Sequence, residues 1–330
     1  MPADSNRGNR VADPLHAIFT PEVVERLRET RTPSPSLLYR LDVLSACGPS
    51  PSDPEEAHWL HRLRAKKAAW DTYLSAAFAC RLFAGEQGNE LRARLTGRDD
   101  DNFRSGMAEC LACWFLAGRL GLTIGPRPSG RRGPLDMLIE LPDGDIAVEV
   151  KAPFHETTME VWHGDESDIL KSCVDSANKQ FNDDARNLLF LVPELRLSVF
   201  DRPRSLIKAL YGQEVIAVPI DVRPGGPAGP ERLEFKPDGK FLRTGIKDDG
   251  SRAFTRVSAV ICVEENCKEG KNLINPVWIE HSALVVHNPY ASKSVPDDLW
   301  GSCVQFAPEN GILRWRNDAN ARHDSRLGDG

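Results

Sequence analysis

The stretch that decides the fold is Gly133–Phe154, which reads GPLDMLIELPDGDIAVEVKAPF. Two strand-like runs flank the tetrapeptide PDGD at 142–145. An Asp-Gly step between apolar runs is a strong signal for a tight β-hairpin, because both residues tolerate the backbone angles of a short turn. The segment is therefore predicted to be two antiparallel strands joined by a turn centred on Asp143-Gly144.

The position of this turn sets the pairing of the two strands. Whether the loop holds two residues or four, it places Asp136 opposite Lys151, and Leu138 opposite Glu149. Because side chains alternate between the faces of a strand, Asp136, Glu149 and Lys151 are predicted to emerge on one face. A β-bulge or a different register would change that placement.

Two carboxylates on one face repel each other unless a cation lies between them. Mg²⁺ or Mn²⁺ meets that need, because hard divalent ions prefer oxygen ligands. The predicted ligands are Asp136, Glu149 and the backbone carbonyl of Val150. Lys151 is predicted to orient or deprotonate an attacking water, or to stabilise charge on a phosphate. The competing interpretation is a solvated hairpin face with a cross-strand ion pair.

Glu109 is a further candidate, both as a catalytic residue and as a metal ligand. It is the only charged residue between Arg104 and Arg119, in a segment that reads as a buried apolar helix. A carboxylate inside such a helix is costly unless it is paired or faces a polar cavity. A metal at the hairpin would offer that partner; the alternative is an ion pair with a local arginine.

Basic and polar residues next to the hairpin are candidates for binding nucleic acid. The segment 127–132, here called the arginine loop, leads into the first strand and is suited to phosphate contact. Two further candidates lie on the helix predicted over 167–182. The alternative interpretations are a solvated loop and a surface helix face. The candidates are Arg127, Arg131, Arg132, Lys179 and Gln180.

The rest of the chain predicts a mixed α/β (α+β) protein. Residues 1–52 read as a polar lead and linker, 53–200 as a helical layer plus a core, 201–316 as a strand-rich part that can continue the core, and 317–330 as a tail. Asp53 followed by Pro54 predicts a helix start. Further strands are predicted at 187–192, 214–222, 232–236, 240–243, 254–264 and 277–286.

The spacing of these residues resembles the signature of the PD-(D/E)XK nucleases. Pro134-Leu135-Asp136, a gap of twelve residues and Glu149-Val150-Lys151 carry the resemblance, with Glu109 on the preceding helix. It covers residues 102–195. It implies a restriction-endonuclease-like core, a mixed sheet flanked by helices, with an N-terminal helical layer and a strand-rich C-terminal extension. The sequence departs from the pattern by one residue inserted between Pro134 and Asp136, and by the absence of a Tyr four residues after Gln180.

The resemblance implies metal-dependent cleavage of phosphodiester bonds, with DNA the expected substrate ahead of RNA. In the family, Asp136 and Glu149 would bind Mg²⁺ or Mn²⁺, and Lys151 would assist the nucleophile. The alternatives are a catalytically inactive nuclease-like scaffold, a nucleic-acid-binding module of a larger assembly, and an unrelated α+β protein. A homodimer or a partner protein is a candidate source of specificity, and defence is a process that this fold often serves.

Composition narrows these options. The chain has 330 residues, of which 41% are hydrophobic, and 48 acidic against 42 basic side chains give a net charge of −6. This balance argues against a protein that coats nucleic acid by bulk charge, but it allows a local basic groove. No phosphate loop, dinucleotide-binding or HExxH motif occurs. No secretory signal or membrane-spanning run is visible, so a cytoplasmic protein with reduced cysteines is expected.

Overall fold

Two structural units alternate along the sequence. Unit 1 comprises Met1–Gly125 and Glu264–Ser282, and unit 2 comprises Pro126–Val263 and Ala283–Gly330. The structure is a computed structural model. It describes residues 13–48, 51–153, 166–193, 202–218, 220–221, 226–227, 232–236, 238–243, 251–269, 277–309, 312–317 and 325–326.

Unit 1 is largely helical, because its sequence supplies start signals at regular intervals. Thr20, Ser34 and Asp53 each accept a hydrogen bond from a backbone N–H of the first helical turn, and a proline follows each of them. The helices are α1 (Pro14–Ile18), α2 (Pro21–Arg28), α3 (Pro35–Ser45), α4 (Pro54–Ala79), α5 (Gly85–Thr96) and α6 (Asp100–Cys113). The π-helical turn Trp114–Arg119 and strand β1 (Thr123–Gly125) follow α6.

The N-terminal part of unit 1 differs from the sequence prediction. Residues 13–48 were predicted to belong to a polar lead and linker, yet they form α1, α2 and α3, and α1 and α3 pack on α4. Leu27, Leu37 and Val43 are fully or almost fully buried there. The sequence also predicts a short helix over residues 21–29, and α2 confirms it. Helices α1 and α3 were missed because short helices with few apolar positions give a weak periodic signal. The polar lead over residues 1–12 lies outside the described residues.

Unit 2 combines a large mixed sheet with two helices, α7 (Glu166–Gln180) and α8 (Arg202–Tyr211). Strands β11 (Ala259–Lys268) and β12 (Trp278–His287) each belong partly to unit 2 and partly to unit 1. The other strands are β2 (Ser129–Gly130), β3 (Gly133–Pro134), β4 (Met137–Glu140), β5 (Ile146–Lys151), β6 (Arg186–Leu191), β7 (Glu214–Ala217), β8 (Ile220–Asp221), β9 (Gly226–Pro227), β10 (Arg232–Phe235), β13 (Val304–Glu309), β14 (Ile312–Arg316) and β15 (Ser325–Arg326).

The sheet order in unit 2 is β4-β5-β6-β11-β12-β13-β14-β15-β10-β7. Strands β4 and β5 are antiparallel, whereas β5, β6 and β11 run parallel to one another. Helix α7 lies between β5 and β6 in the chain and forms a β-α-β crossover. The structure confirms the predicted mixed α+β class, with a large mixed sheet flanked by helices. None of the helices in the described ranges is long and apolar enough to cross a membrane.

Helix α7 covers the sheet face that carries the predicted site. Leu170, Val174 and Ala177 recur at helical spacing and belong to the same apolar cluster as Ala147 and Leu189. Ala147 lies on β5 two and four residues before Glu149 and Lys151. Since side chains alternate along a strand, Glu149 and Lys151 share the face that α7 covers.

Several predictions for the C-terminal third need correction. Residues 240–243 form turns and not a strand, and the strand predicted from residue 254 begins at Ala259. Helix α8 and strands β13 and β14 were not predicted. The predictions for these segments failed because each segment is too short to show a clear hydrophobic period. The prediction was better for four other strands. The observed first residues of β6, β7, β10 and β12 lie within two residues of the predicted ones.

Candidate active site

The β4–β5 hairpin has a different register from the predicted one. Leu138 pairs with Ala147 and not with Glu149, so the strands are displaced by two residues from the prediction. The reason is the turn: the N–H of Gly144 donates to the carbonyl of Leu141 at 3.3 Å. Pro142 therefore occupies the second turn position, which its fixed φ favours, and Gly144 the fourth, where its φ is +119°. Because the displacement is two residues, the face of each paired side chain is unchanged.

A β-bulge lies at the start of β4, at Asp136. Met137 is the register partner of Val148, yet the N–H of Asp136 also donates to the Val148 carbonyl at 3.0 Å. Two residues of one strand thus oppose one residue of the other, which defines a bulge and redirects the side chain. The Asp136 carboxylate accepts a hydrogen bond from the backbone N–H of Val150 at 2.7 Å. Asp136 is therefore held against the backbone of β5 beside Glu149, and not opposite Lys151.

Glu149 and Lys151 form an ion pair along β5. Lys151 Nζ lies 2.6 Å from Glu149 Oε1, and the two side chains are 26% and 5% exposed. Val148 and Val150, on the other face of the strand, are also buried. The interpretation of a freely solvated hairpin face is therefore wrong for Glu149, while Lys151 keeps access to solvent.

Cys173 on α7 is a neighbour of this pair that the sequence analysis did not identify. Burial raises the pKa of its thiol to about 11, and the nearby charge of Lys151 acts in the opposite direction. Cys173 precedes Val174 on the apolar stripe of α7, so helical periodicity was the signal that placed it towards the sheet. At neutral pH the thiol is protonated and adds no negative charge beside Lys151.

The donor atoms at the hairpin suit a cation that keeps part of its water. Asp136 and Glu149 supply carboxylates from neighbouring strands, and the Val150 carbonyl is on the same stretch of β5. Within the described part of the chain, no group of three or more His, Cys, Asp or Glu side chains is placed to hold a metal. Mg²⁺ is commonly bound by one or two carboxylates together with water and substrate phosphates, so this donor set fits Mg²⁺ better than a fully protein-ligated ion.

Glu109 lies in unit 1, where it has a cationic partner. Its side chain is 2% exposed, and Arg94 Nη1 lies 2.5 Å from Glu109 Oε1. This local ion pair is the alternative that the sequence left open for Glu109. Its role as a metal ligand stays a prediction.

The arginine loop docks on the C-terminal end of α7. Strands β2 and β3 form a small hairpin with Arg131 and Arg132 at its turn. The N–H of Arg131 donates to the Gln180 carbonyl at 2.7 Å, and its guanidinium lies 3.3 Å from Asp183. Gly130 permits this approach, because an added Cβ would lie 2.7 Å from the Gln180 carbonyl oxygen. Arg132 is exposed and Arg127 is half-buried.

Lys179 and Gln180 end α7 in the same region. Lys179 is exposed, and Gln180 is half-buried. The buried Oε1 of Gln180 has no hydrogen-bond partner among the residues that the structure describes. Cys173, near Lys151, is seven residues earlier on the helix. At 1.5 Å per residue, Gln180 is therefore about 10 Å from Cys173 along the helix axis.

Arg256 is a further basic residue beside the arginine loop, and the sequence analysis did not identify it. It forms an ion pair with Asp183 and donates to the Asn178 carbonyl at 3.3 Å. Asp183 thus joins Arg131 and Arg256. No local pattern predicts this contact, because Arg256 and Asp183 are more than 70 residues apart in the chain.

A second polar cluster lies in unit 1, around Tyr73. Its hydroxyl is 2.6 Å from Glu265 Oε1 and 2.5 Å from His281 Nε2, and Lys66 Nζ is 2.5 Å from Glu265 Oε2. Burial raises the pKa of Tyr73 and lowers that of His281. For Glu265, burial acts to raise the pKa, but the contacts with Lys66, Tyr73 and His281 outweigh it, so the pKa of this carboxyl is lowered. The Tyr73 side chain is almost fully buried. The cluster therefore fixes Glu265 and His281 within unit 1 rather than opening onto solvent.

Comparisons with models of protein families, with curated proteins and with solved structures found no match to this chain.

Proposed function

We propose that the protein is a metal-dependent phosphodiesterase that cleaves nucleic acid, with DNA as the favoured substrate. The observation that carries the proposal is the meeting of Asp136, Glu149 and Lys151 at one end of the β4–β5 hairpin, where Lys151 reaches solvent. Two carboxylates and an ammonium at one place suit the binding of a divalent ion and a phosphate.

The order of elements around the hairpin supports the same reading. An antiparallel hairpin, a crossover helix and a parallel strand follow one another as β4, β5, α7 and β6. This order agrees with the restriction-endonuclease-like core that the resemblance to PD-(D/E)XK nucleases implies.

The residues of the chain have separable roles in this mechanism. Mg²⁺ or Mn²⁺, when bound by Asp136, Glu149 and the Val150 carbonyl, supplies the Lewis acidity that polarises the phosphodiester and the attacking water. The Val150 N–H orients the Asp136 carboxylate. Lys151 directs one N–H towards Glu149 and has two further N–H groups with which to contact a phosphate oxygen or the nucleophile.

The arginine loop is positioned to hold the substrate beyond the cleavage point. Arg131 lies at the C-terminal end of α7, which is about 10 Å along the helix axis from Cys173, the neighbour of Lys151. Arg132 is exposed, and Asp183 holds Arg131 in place. Lys179 adds a further exposed charge. These contacts would position the backbone without reading sequence.

A non-catalytic nucleic-acid-binding scaffold is the second candidate function. The observation that favours it is the 5% exposure of the Glu149 side chain and its direct ion pair with Lys151. A carboxylate that is already neutralised can stabilise the fold without a metal. The half-buried Asp136 and the exposed part of Lys151 favour the enzyme.

Cleavage assays on DNA and RNA, in single- and double-stranded form, separate the two candidates. Each substrate is incubated with Mg²⁺, with Mn²⁺ or with a chelator, and products are resolved by electrophoresis. The enzyme predicts metal-dependent cleavage that is lost in Asp136→Asn and Lys151→Ala. Glu140→Gln, on the exposed end of β4, and Lys171→Ala, on α7, are matched controls that should keep activity. Full activity in both site variants refutes the assignment, whereas metal-independent binding without cleavage by the unaltered protein supports the scaffold.

A further inference from the structure

Two cysteines meet in unit 1 where α4 and α6 end. Cys80 is the residue after α4 and is half-buried, while Cys113 ends α6 and is fully buried. Both bind one carbonyl oxygen, that of Ala76: the Cys80 N–H lies 2.9 Å from it, and the Cys113 sulfur 3.7 Å from it. The backbone of Cys80 and the thiol of Cys113 therefore meet at the same carbonyl group.

The two thiols are chemically different. A hydrogen bond between them lowers the pKa of Cys80, and the same contact together with burial raises the pKa of Cys113 well above its usual value. Cys80 is thus the partner that forms thiolate more readily, and it is also the one that solvent reaches. The carbonyl dipoles at the end of α4 oppose thiolate formation, so Cys80 is expected to react more slowly than a thiol at a helix N-terminus.

We propose that Cys80 and Cys113 are a reversible oxidation site, at which hydrogen peroxide converts the two thiols into a disulfide. The Cys80 thiolate attacks peroxide, the O–O bond breaks, and Cys80 sulfenic acid and hydroxide form. The Cys113 thiol then attacks the sulfenic sulfur, water leaves, and the S–S bond forms. Sulfur loses two electrons in total and the peroxide gains them; a dithiol reductant reverses the reaction.

Neighbouring cysteines help to define the proposed pair. Cys110 is fully buried one turn before Cys113 on α6, and its charge also raises the pKa of Cys113. A metal is not needed to explain the cluster, since no set of three metal-binding side chains occurs in the described ranges. The proposal does not depend on the nuclease activity, because all of its residues lie in unit 1.

Peptide mapping tests the pair directly. The full chain is treated with hydrogen peroxide, blocked with an alkylating reagent and digested with trypsin without reduction. Cleavage after arginine and lysine places Cys80 in peptide 68–81, and Cys110 and Cys113 in peptide 105–119. The expected product is a cross-link between these two peptides that disappears on reduction.

Three variants make the assignment specific. Cys80→Ser and Cys113→Ser should each abolish the cross-link, whereas Cys110→Ser should keep it. In Cys113→Ser, dimedone should trap more sulfenic acid at Cys80, because the resolving thiol is gone. Circular dichroism of the untreated proteins checks folding, and Cys80→Ser, at the half-buried position, keeps the test valid if Cys113→Ser does not fold.

Two outcomes would overturn the proposal. One is a cross-link that survives Cys113→Ser but not Cys110→Ser, which would make Cys110 the partner. The other is oxidation of the exposed Cys47 while Cys80 stays reduced and unlinked. Since nucleic-acid cleavage is not part of the readout, neither outcome bears on the proposed phosphodiesterase activity.

Discussion

The ion pair between Lys151 and Glu149 is the most direct place to test whether the hairpin binds a metal. Lys151→Ala leaves the Glu149 carboxylate, 5% exposed, without the ammonium that lies 2.6 Å away. Glu149→Gln removes the acid but leaves a lysine that can turn towards water. The double variant removes both charges. The four proteins form a double-mutant cycle for the free energy of unfolding.

The distance and the burial set the expected size of the effects. At 2.6 Å and an effective dielectric constant of 20, the attraction is about 6 kcal/mol, and desolvation of the two charges offsets much of it. Lys151→Ala is expected to cost about 3 kcal/mol, because it removes the ammonium beside a buried carboxylate. Glu149→Gln is expected to cost about 1 kcal/mol and the double variant about 1–2 kcal/mol, which gives a coupling of about 2–3 kcal/mol.

Unfolding by urea, with and without Mg²⁺, provides the assay. If Glu149 and Asp136 bind the ion, Mg²⁺ should stabilise Lys151→Ala more than the unaltered protein, because it replaces the missing positive charge. The double variant and Lys151→Ala/Asp136→Asn should lose this gain, while Glu140→Gln should behave like the unaltered protein. A coupling near zero refutes the ion-pair argument. Equal stabilisation of all variants by Mg²⁺ refutes the metal site.

Three further predictions concern other contacts. Arg94→Ala is expected to cost about 3 kcal/mol of unfolding free energy, because it removes the guanidinium beside the buried Glu109 carboxylate, and Glu109→Gln is expected to cost clearly less, because it removes the buried charge itself. Urea titration compares the two variants, and equal costs would contradict this. Gly130→Ala should weaken nucleic-acid binding and lower the free energy of unfolding by about 1–3 kcal/mol, because the added Cβ meets the Gln180 carbonyl. An unchanged affinity for nucleic acid at two salt concentrations would exclude the arginine loop from binding. Burial lowers the pKa of His281 below its usual 6.5, so the unfolded state binds the proton more readily and the free energy of unfolding should fall as pH drops below about 6.5. His281→Gln should flatten the dependence of this free energy on pH in that range, and an unchanged dependence would exclude His281 as its cause.

The predictions that held rest on signals contained within a few residues. Asp53 and Pro54 mark the start of α4 because the carboxylate caps N–H groups two and three residues later. The stretch at 142–145 marks the hairpin because Pro142 fixes its own φ and Gly144 adopts a positive φ without steric cost. The alternation of apolar and polar residues places Glu149 and Lys151 on one face of β5.

Other properties of the site depend on contacts between distant segments. The Asp-Gly step predicted a turn centred on Asp143-Gly144, whereas the observed turn is centred on Pro142-Asp143, and this difference displaced the register. The bulge at Asp136 arises where the chain enters β4 beside β5, and no residue type predicts it. The burial of Glu149 comes from α7, which is more than fifteen residues further along the chain.

Local signals therefore predicted α4, the β4–β5 hairpin and the residue types that gather there, but not α8, β13 or β14. Only the tertiary structure decided that Glu109 pairs with Arg94, that Asp183 joins Arg131 to Arg256, and which carboxylates are buried. The physical reason is the range of the forces involved. Backbone angles and capping hydrogen bonds act between near neighbours in the chain, whereas charge pairing and burial depend on segments that become neighbours only when the chain packs.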